Sequence, residues 1–472
     1  MQKLISKYWL AAHLALLAVA PLFLFPFFGA DDTATVLLWL TLWGWLWIFL
    51  EPSRRGGEML HNARVRVVGA IVRDPVFWLL FLLLIVSVAR WVNCGPGLAV
   101  NSYTNKYCIS NPPVGWLPGS IKGSGFLWFS VVFALMCVVT GCRNALGKSA
   151  RLSFVFTSSF LAGVAAIVAL CTCRAGNEVV LTALQCGFDV HSYVGTAFGL
   201  YALGGLVALC GSFEQRWNKL LLLFSLSIGA NASGLVYFAP VHVVLAFAVA
   251  AILLILGCGA YIAMTQRKSY VLKYLVGVIV AVMVPVVLGV CVLPPDVTEA
   301  KLTAFKNLVI FPEHFFEARS ELAKVAIGAW RGNLWFGTGE GYFPLELRFA
   351  AAEGEWWYED WWGVWRNAIP VSALNGWLQI ISERGIVGVA TLTLPVVFIL
   401  VTFVMRLIGA WGRRVFFPLC GLGLVAVLVV AAEGVFDGAP TRPDVILAVG
   451  SFLALSASAF PAFRRSGEES TD

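Results

Sequence analysis

VHVVLAFAVAAILLILGCGAYIAM, residues 241–264, contains no Asp, Glu, Lys or Arg and is apolar almost throughout. A bilayer core needs about 20 mostly apolar residues per helix, so this run reads as a membrane span. Eleven further segments read the same way, near 8–28, 35–50, 75–92, 124–142, 152–171, 192–211, 220–238, 272–293, 385–405, 415–432 and 444–462. The most polar is 220–238, with Ser225, Ser227, Asn231 and Ser233. The first segment is too long and too rich in Pro and Phe for a cleaved signal peptide, and no small-x-small cleavage site follows it.

The whole chain agrees with these spans. It has 472 residues, 60% hydrophobic and only 12% charged, with mean hydropathy +0.84. A soluble domain carries roughly 25% charged residues. The composition therefore excludes a soluble globular protein, a disordered chain and a nucleic-acid-binding domain. It leaves an all-α polytopic membrane protein of about 12 transmembrane helices. The eleven cysteines show no CxxC or zinc-finger spacing, so neither a metal nor a cofactor is expected. Two local disulfides are expected, Cys94–Cys108 and Cys173–Cys186, because each pair shares one short external connection.

Twelve spans place both termini on one side, and basic residues say which. The termini and the connections on their side hold 20 of the 33 Lys and Arg, whereas the short connections on the other side hold five: Arg90, Lys106, Lys122, Arg174 and Arg442. Both termini are therefore expected in the cytoplasm of a bacterium, with the chain in its inner membrane. The basic stretch 51–74 reads as a surface helix beside anionic lipid.

One connection breaks the pattern. Residues 294–384 carry 12 acids, 8 bases and 8 of the 19 tryptophans. Loops this long are usually functional or disordered, and the aromatic content argues against disorder. The chain thus divides into spans one to nine (1–293), a partly helical external loop with the expected active site (294–384), and spans ten to twelve with a cytoplasmic tail (385–472).

The candidate chemistry lies in or near that loop. FPEHFFEARSELAKVAIGAW, 311–330, has an amphipathic helical period that carries Arg319. A guanidinium there either clamps a diphosphate bidentately or pairs with a neighbouring Glu. LWFGTGEGYF, 334–343, places Gly337, Gly339 and Gly341 where backbone must turn or approach closely; it is no dinucleotide fingerprint. EGEWWYEDWWGVWRNAIP, 353–370, sets Trp361 and Trp362 beside Glu359 and Asp360, either for stacking on sugars or as an interfacial belt. SALNGWLQIISERGIVGV, 372–389, puts Asn375, Gln379 and Glu383 at i, i+4 and i+8, on one helical face at the membrane edge. AAEGVFDGAPTRPD, 431–444, adds Glu433, Asp437 and Arg442.

Taken in order, these segments resemble the O-antigen ligase and polymerase superfamily. GAWRGNLWFGTGEGYF is similar to its arginine helix and "lfGtGlGtF" turn, with Arg319 in the place of the loop arginine. SALNGWLQIISERGIVG is similar to its "HxHNxyLqllaExGllG" segment at Asn375, Leu378, Gln379, Glu383, Gly385 and Gly388, and Asp437 falls where an acid precedes the last helix. The resemblance covers roughly residues 310–445.

It implies transfer of a glycan from undecaprenyl diphosphate to an acceptor glycan or lipid, without metal or nucleotide sugar. Arginine would hold the diphosphate, and a base would take the acceptor proton. The two histidine positions of the pattern hold Ser372 and Leu374 here, and its middle-helix arginine position offers Asn231, Ala232 and Ser233. Glu383 and His314 are the candidate bases in their stead. Asn375, Gln379, Gly337, Gly339, Trp361, Trp362 and Asp437 are the expected substrate contacts. Membrane lipids and polysaccharide-assembly proteins are the further partners expected. The alternatives are a lipid-linked glycan transporter, which would call for charged pairs within spans and pseudo-repeated halves, and a non-catalytic assembly protein.

Overall fold

The computed structural model describes residues 2–24, 30–50, 60–95, 98–101, 106–109, 119–121, 123–174, 190–214, 217–292, 299, 302–303, 305–306, 310, 312–343, 346, 373, 375–409, 417–436 and 438–458. The protein is helical and of polytopic membrane type. Ten helices are long and apolar enough to cross a membrane, and two shorter apolar helices, Tyr8–Leu24 and Pro443–Ser458, coincide with the first and last expected spans.

In chain order the helices are α1 (Gln2–Leu24), α2 (Ala30–Leu50), α3 (Leu60–Val72), α4 (Pro75–Val92), α5 (Ser124–Thr140), α6 (Lys148–Arg174), α7 (Val190–Glu214), α8 (Leu221–Phe238), α9 (Val241–Thr265), α10 (Lys268–Val292), α11 (Pro312–Gly332), α12 (Gly376–Gly409), α13 (Phe417–Phe436) and α14 (Pro443–Ser458). The basic stretch forms α3, and the connection after α4 folds a small hairpin, β2 (Leu98–Asn101) against β3 (Lys106–Ile109), with β1 (Cys94–Gly95) beside β4 (Ser120–Ile121). That hairpin gave no sequence signal.

α7 is the hub, buried along its whole span and packed against α6, α8 and α9. The polar residues of α8 explain how so hydrophilic a segment sits among apolar ones. Ser227 pairs with Ser159 of α6 at 3.0 Å, and the Asn231 amide donates to the carbonyls of Ser159 and Ser227 at 2.8 and 2.9 Å. These groups face the bundle interior, where internal partners replace water.

Contacts between connections sort them into two faces. On one, Arg143 holds Asp74 through two hydrogen bonds at 2.8 and 3.0 Å, joining the α3–α4 corner to the end of α5. Burial alone would raise the Asp74 carboxyl; hydrogen bonds from Arg143, Asn144 and the Val76 amide hold it below the usual carboxylate range. Arg151 and Arg406 donate to the carbonyls of Ser458 and Ala457, capping α14 where its helix dipole is negative. On the other face, Ile121 donates to the Glu340 carbonyl at 2.9 Å, and Arg319 reaches the end of α13.

This sorting is the one that alternating spans require. With the orientation read from the basic residues, a reporter fused after residue 345 should be active only outside the cytoplasm, and activity inside would overturn that orientation.

Cys94 and Cys173 are free thiols. The two expected disulfides are therefore absent, and the Cys108 and Cys186 side chains lie outside the described residues. In the backbone, Cys94 on β1 stands opposite Ser120, whereas Cys108 on β3 stands opposite Ala99.

Candidate functional site

Two groups of polar side chains stand on the face that carries residues 312–343. The first is a buried ionic knot. Helix α12 is broken at Gly385, whose φ of 62° and ψ of −169° only glycine adopts readily. The break frees carbonyls from the helical ladder. Gly339 donates to the Glu383 carbonyl at 2.9 Å and Thr338 to that of Ser382 at 2.9 Å, while Ile386 and Val387 donate to Leu334 and Trp335, both at 3.0 Å. The glycine turn thus grips both sides of the break.

Arg90, at the end of α4, completes the grip from the bundle. It donates to the carbonyls of Glu383, Phe336 and Arg384 at 3.2, 3.0 and 2.9 Å. Arg90 is 1% exposed, Glu340 3%, and Glu383 and Arg384 6% each. Arg384 stacks over Trp128 at 3.4 Å, and its Nε lies 3.2 Å from Glu340 Oε1. That is an ion-pair distance without hydrogen-bond alignment, and neither Glu340 oxygen accepts a hydrogen bond among the described residues. Burial pushes the Glu340 carboxyl above its ordinary range, and the guanidiniums of Arg384 and Arg90 offset this only in part.

Gly337 and Gly339 therefore serve the docking of the turn. A Cβ at Gly337 would strike the Glu383 carbonyl carbon, and its φ is 69°. Gly337→Ala should cost about 1–3 kcal/mol from the backbone conformation alone, with the clash in addition. Gly328, on α11 with open space around it, should tolerate Ala with little change. Melting temperatures of the two variants in detergent check this; equal melting would show the turn to be loosely held.

The second group gathers at the last turn of α13. Arg319 Nε donates to the Phe436 carbonyl at 3.0 Å. Asn375 Nδ2 donates to the Val435 carbonyl at 3.0 Å, while its Oδ1 accepts from Leu378 and caps α12. Trp377 Nε1 reaches the Ala431 carbonyl at 3.0 Å. The ring of His242, near the start of α9, lies edge-on to Phe436 with centroids 6.5 Å apart, within electrostatic range of Arg319. One turn earlier on α13, Glu433 accepts a 2.9 Å hydrogen bond from Thr196 of α7. Arg442 engages Asp444 through two contacts at 3.1 and 3.3 Å. A helix end presents carbonyls without intrahelical partners, so polar side chains collect there.

The expected residues thus fall into two places. Arg319 and Asn375 meet at the α13 end. Gln379 and Glu383 lie in the knot, where Glu383 accepts from the Phe343 amide at 3.4 Å and from Gln379, and Gln379 accepts from the Ala373 amide at 3.4 Å. Trp361, Trp362, Asp437 and the His314 side chain lie outside the described residues.

Sequence reasoning missed Arg90, Glu340 and His242. A charge at the end of an apolar span and an acid among three glycines were the available signals. The partners of Arg90 lie 246 to 294 residues away along the chain, which no local pattern encodes.

Under Trp377 and Pro440 lies a cavity of about 210 Å³, walled almost wholly by apolar side chains from five helices, including Leu80, Leu135, Val396, Val430 and Val449. Among the described residues no cluster of His, Cys, Asp or Glu is built to hold a metal ion. Neither a known protein family nor a curated protein matches the chain.

Proposed function

We propose that this protein is a membrane glycosyltransferase of ligase or polymerase type, moving a glycan from a polyprenyl diphosphate such as undecaprenyl diphosphate to an acceptor glycan or lipid on the outer side of the bacterial inner membrane. The observation that carries the reading is the convergence of Arg319, Asn375 and His242 on the last turn of α13. These groups come from three separate helical segments, yet meet where α13 ends.

The chemistry of such a donor fits what is gathered there. Its diphosphate is an activated leaving group, so the protein must bind it and absorb its developing charge. Arg319 brings a planar fork matched to phosphate oxygens, and its Nε bond to Phe436 orients that fork. Asn375 stands beside it for a sugar hydroxyl or phosphate oxygen. The apolar cavity under Trp377 offers space for hydrocarbon close below the polar cluster. Glu383 is a candidate base in place of the pattern's histidines; its burial, with the Phe343 amide and Gln379 as donors to its carboxylate, suits it better to holding the broken helix.

Native mass spectrometry of the purified chain with undecaprenyl diphosphate and undecaprenyl monophosphate tests the donor. Preferential retention of the diphosphate is expected. Equal retention of both, or of neither, would count against the reading.

A further inference from the structure

We infer that Arg143, Arg151 and Arg406 form a site for the phosphate headgroup of an anionic membrane phospholipid, on the face opposite residues 312–343. The inference stands independently of the glycosyl-transfer reading.

The chain sets all three arginines at the ends of apolar helices. Arg143 lies in the turn Gly141–Ala145 that follows α5, Arg151 in the first turn of α6 and Arg406 in the last turn of α12. Such ends meet the membrane at headgroup level, where long cationic side chains are favoured. The fold then gathers them around the end of α14. Arg151 and Arg406 donate to the carbonyls of Ser458 and Ala457. The Ser458 hydroxyl donates to the Cys142 carbonyl at 3.5 Å, beside Arg143. Arg406 lies within electrostatic range of Arg143, Asp74 and Arg151.

Charge decides what this corner can hold. Asp74 brings one carboxylate, already engaged by Arg143 through two hydrogen bonds. The end of α14 brings about half a negative charge. Three guanidiniums therefore leave an excess of about one and a half positive charges. Exposed Arg73 adds another beside Asp74. A partly buried excess of this kind is costly without a counter-anion. The Arg151 Nε is buried and has no hydrogen-bond partner among the described residues. A spare guanidinium N–H aimed at an anion matches a phosphate oxygen.

The surroundings select a lipid over a soluble phosphate. Arg151 and Arg406 are half-buried, and Val404 and Met405 beside Arg406 are exposed. Helix α3 packs on the turn that holds Arg143 and exposes Val68 and Val72. Trp78 is half exposed, with its Nε1 donating to the Val72 carbonyl at 2.8 Å, as suits a ring at the membrane interface. Apolar surface for acyl chains thus flanks a basic pocket between helix ends, the arrangement that takes anionic headgroups. With the orientation read from the basic residues, the lipid is one of the cytoplasmic leaflet.

The test titrates the full chain in neutral detergent with fluorescent phosphatidylglycerol and fluorescent phosphatidylcholine. The parent should bind phosphatidylglycerol at least about tenfold more tightly, since only that headgroup carries net charge. Arg151→Gln and Arg406→Gln should each weaken phosphatidylglycerol by about fivefold, the share of one basic side chain at an anionic headgroup. Phosphatidylcholine binding should stay unchanged in both, which also reports that they fold. A phosphatidylglycerol with a photoreactive headgroup should label the parent on α3, on the turn Gly141–Ala145 or on the adjoining ends of α6, α12 and α14, a readout that needs no variant. Equal affinity for the two lipids, parent-like affinity in both variants, or labelling confined to other helices would overturn the inference. Displacement of phosphatidylglycerol by inorganic phosphate would make this a site for soluble phosphate and overturn the lipid assignment.

Discussion

Arg90→Leu should destabilise the protein more than any other single change on this face, by about 3–5 kcal/mol, the range for removing one partner of a buried charged network. The side chain supplies hydrogen bonds to three carbonyls, and the break at Gly385 leaves those of Glu383 and Arg384 without helical partners. Leucine would leave the carbonyls short of donors and take a positive charge from beside Glu340 and Glu383. Lysine should rescue only partly, because one ammonium lacks the fork that spans two segments.

Glu340→Gln is the informative contrast. Burial already disfavours the Glu340 anion, and its oxygens accept no hydrogen bonds among the described residues, so less is lost. Thermal melting in detergent should rank the variants Arg90→Leu well below Arg90→Lys, and both below Glu340→Gln. If Arg90→Leu melts with Glu340→Gln, Arg90 is not what fastens the loop to the bundle.

Arg319→Lys should lose transfer by about 100- to 1,000-fold, the effect typical of removing one donor to a developing oxyanion. The substitution keeps the charge and removes the planar fork, so it separates directed hydrogen bonding from simple attraction. Stability should barely change, since Arg319 is only half-buried and lysine keeps its charge. Transfer assayed beside melting temperature decides it. Parent-like transfer by Arg319→Lys would remove the diphosphate role.

Much of this architecture was readable because membrane spans declare themselves locally. An uncharged run such as 241–264 has no other way to satisfy its backbone in lipid, and α9 follows it closely. Residue 385 was read as the start of a span, and there the structure breaks α12. The polar face of α8 lowered its hydropathy, yet its serines and Asn231 turn inward to partners on α6. Amphipathic spacing and a polar stripe singled out Arg319 and Asn375, and both side chains reach carbonyls at the end of α13.

The rest lay beyond local patterns. Gln379 and Glu383 share the stripe with Asn375, but the end of the short helix before Gly385 turns them into the knot while Asn375 caps its start. Arg90 was counted as a loop cation because its partners are distant in sequence. His242 opens an ordinary apolar span and acquires meaning only when α11 and α13 place Arg319 and Phe436 beside it.

The most direct measurement is glycan transfer by the purified chain in proteoliposomes, supplied with an undecaprenyl-diphosphate-linked glycan and an acceptor glycan or lipid and nothing else. A new glycosidic bond and release of undecaprenyl diphosphate are expected in equal amounts, without metal or nucleotide sugar, and both lost in Arg319→Lys. Donor that stays intact with every acceptor, or that only crosses the bilayer with its glycan attached, would contradict it.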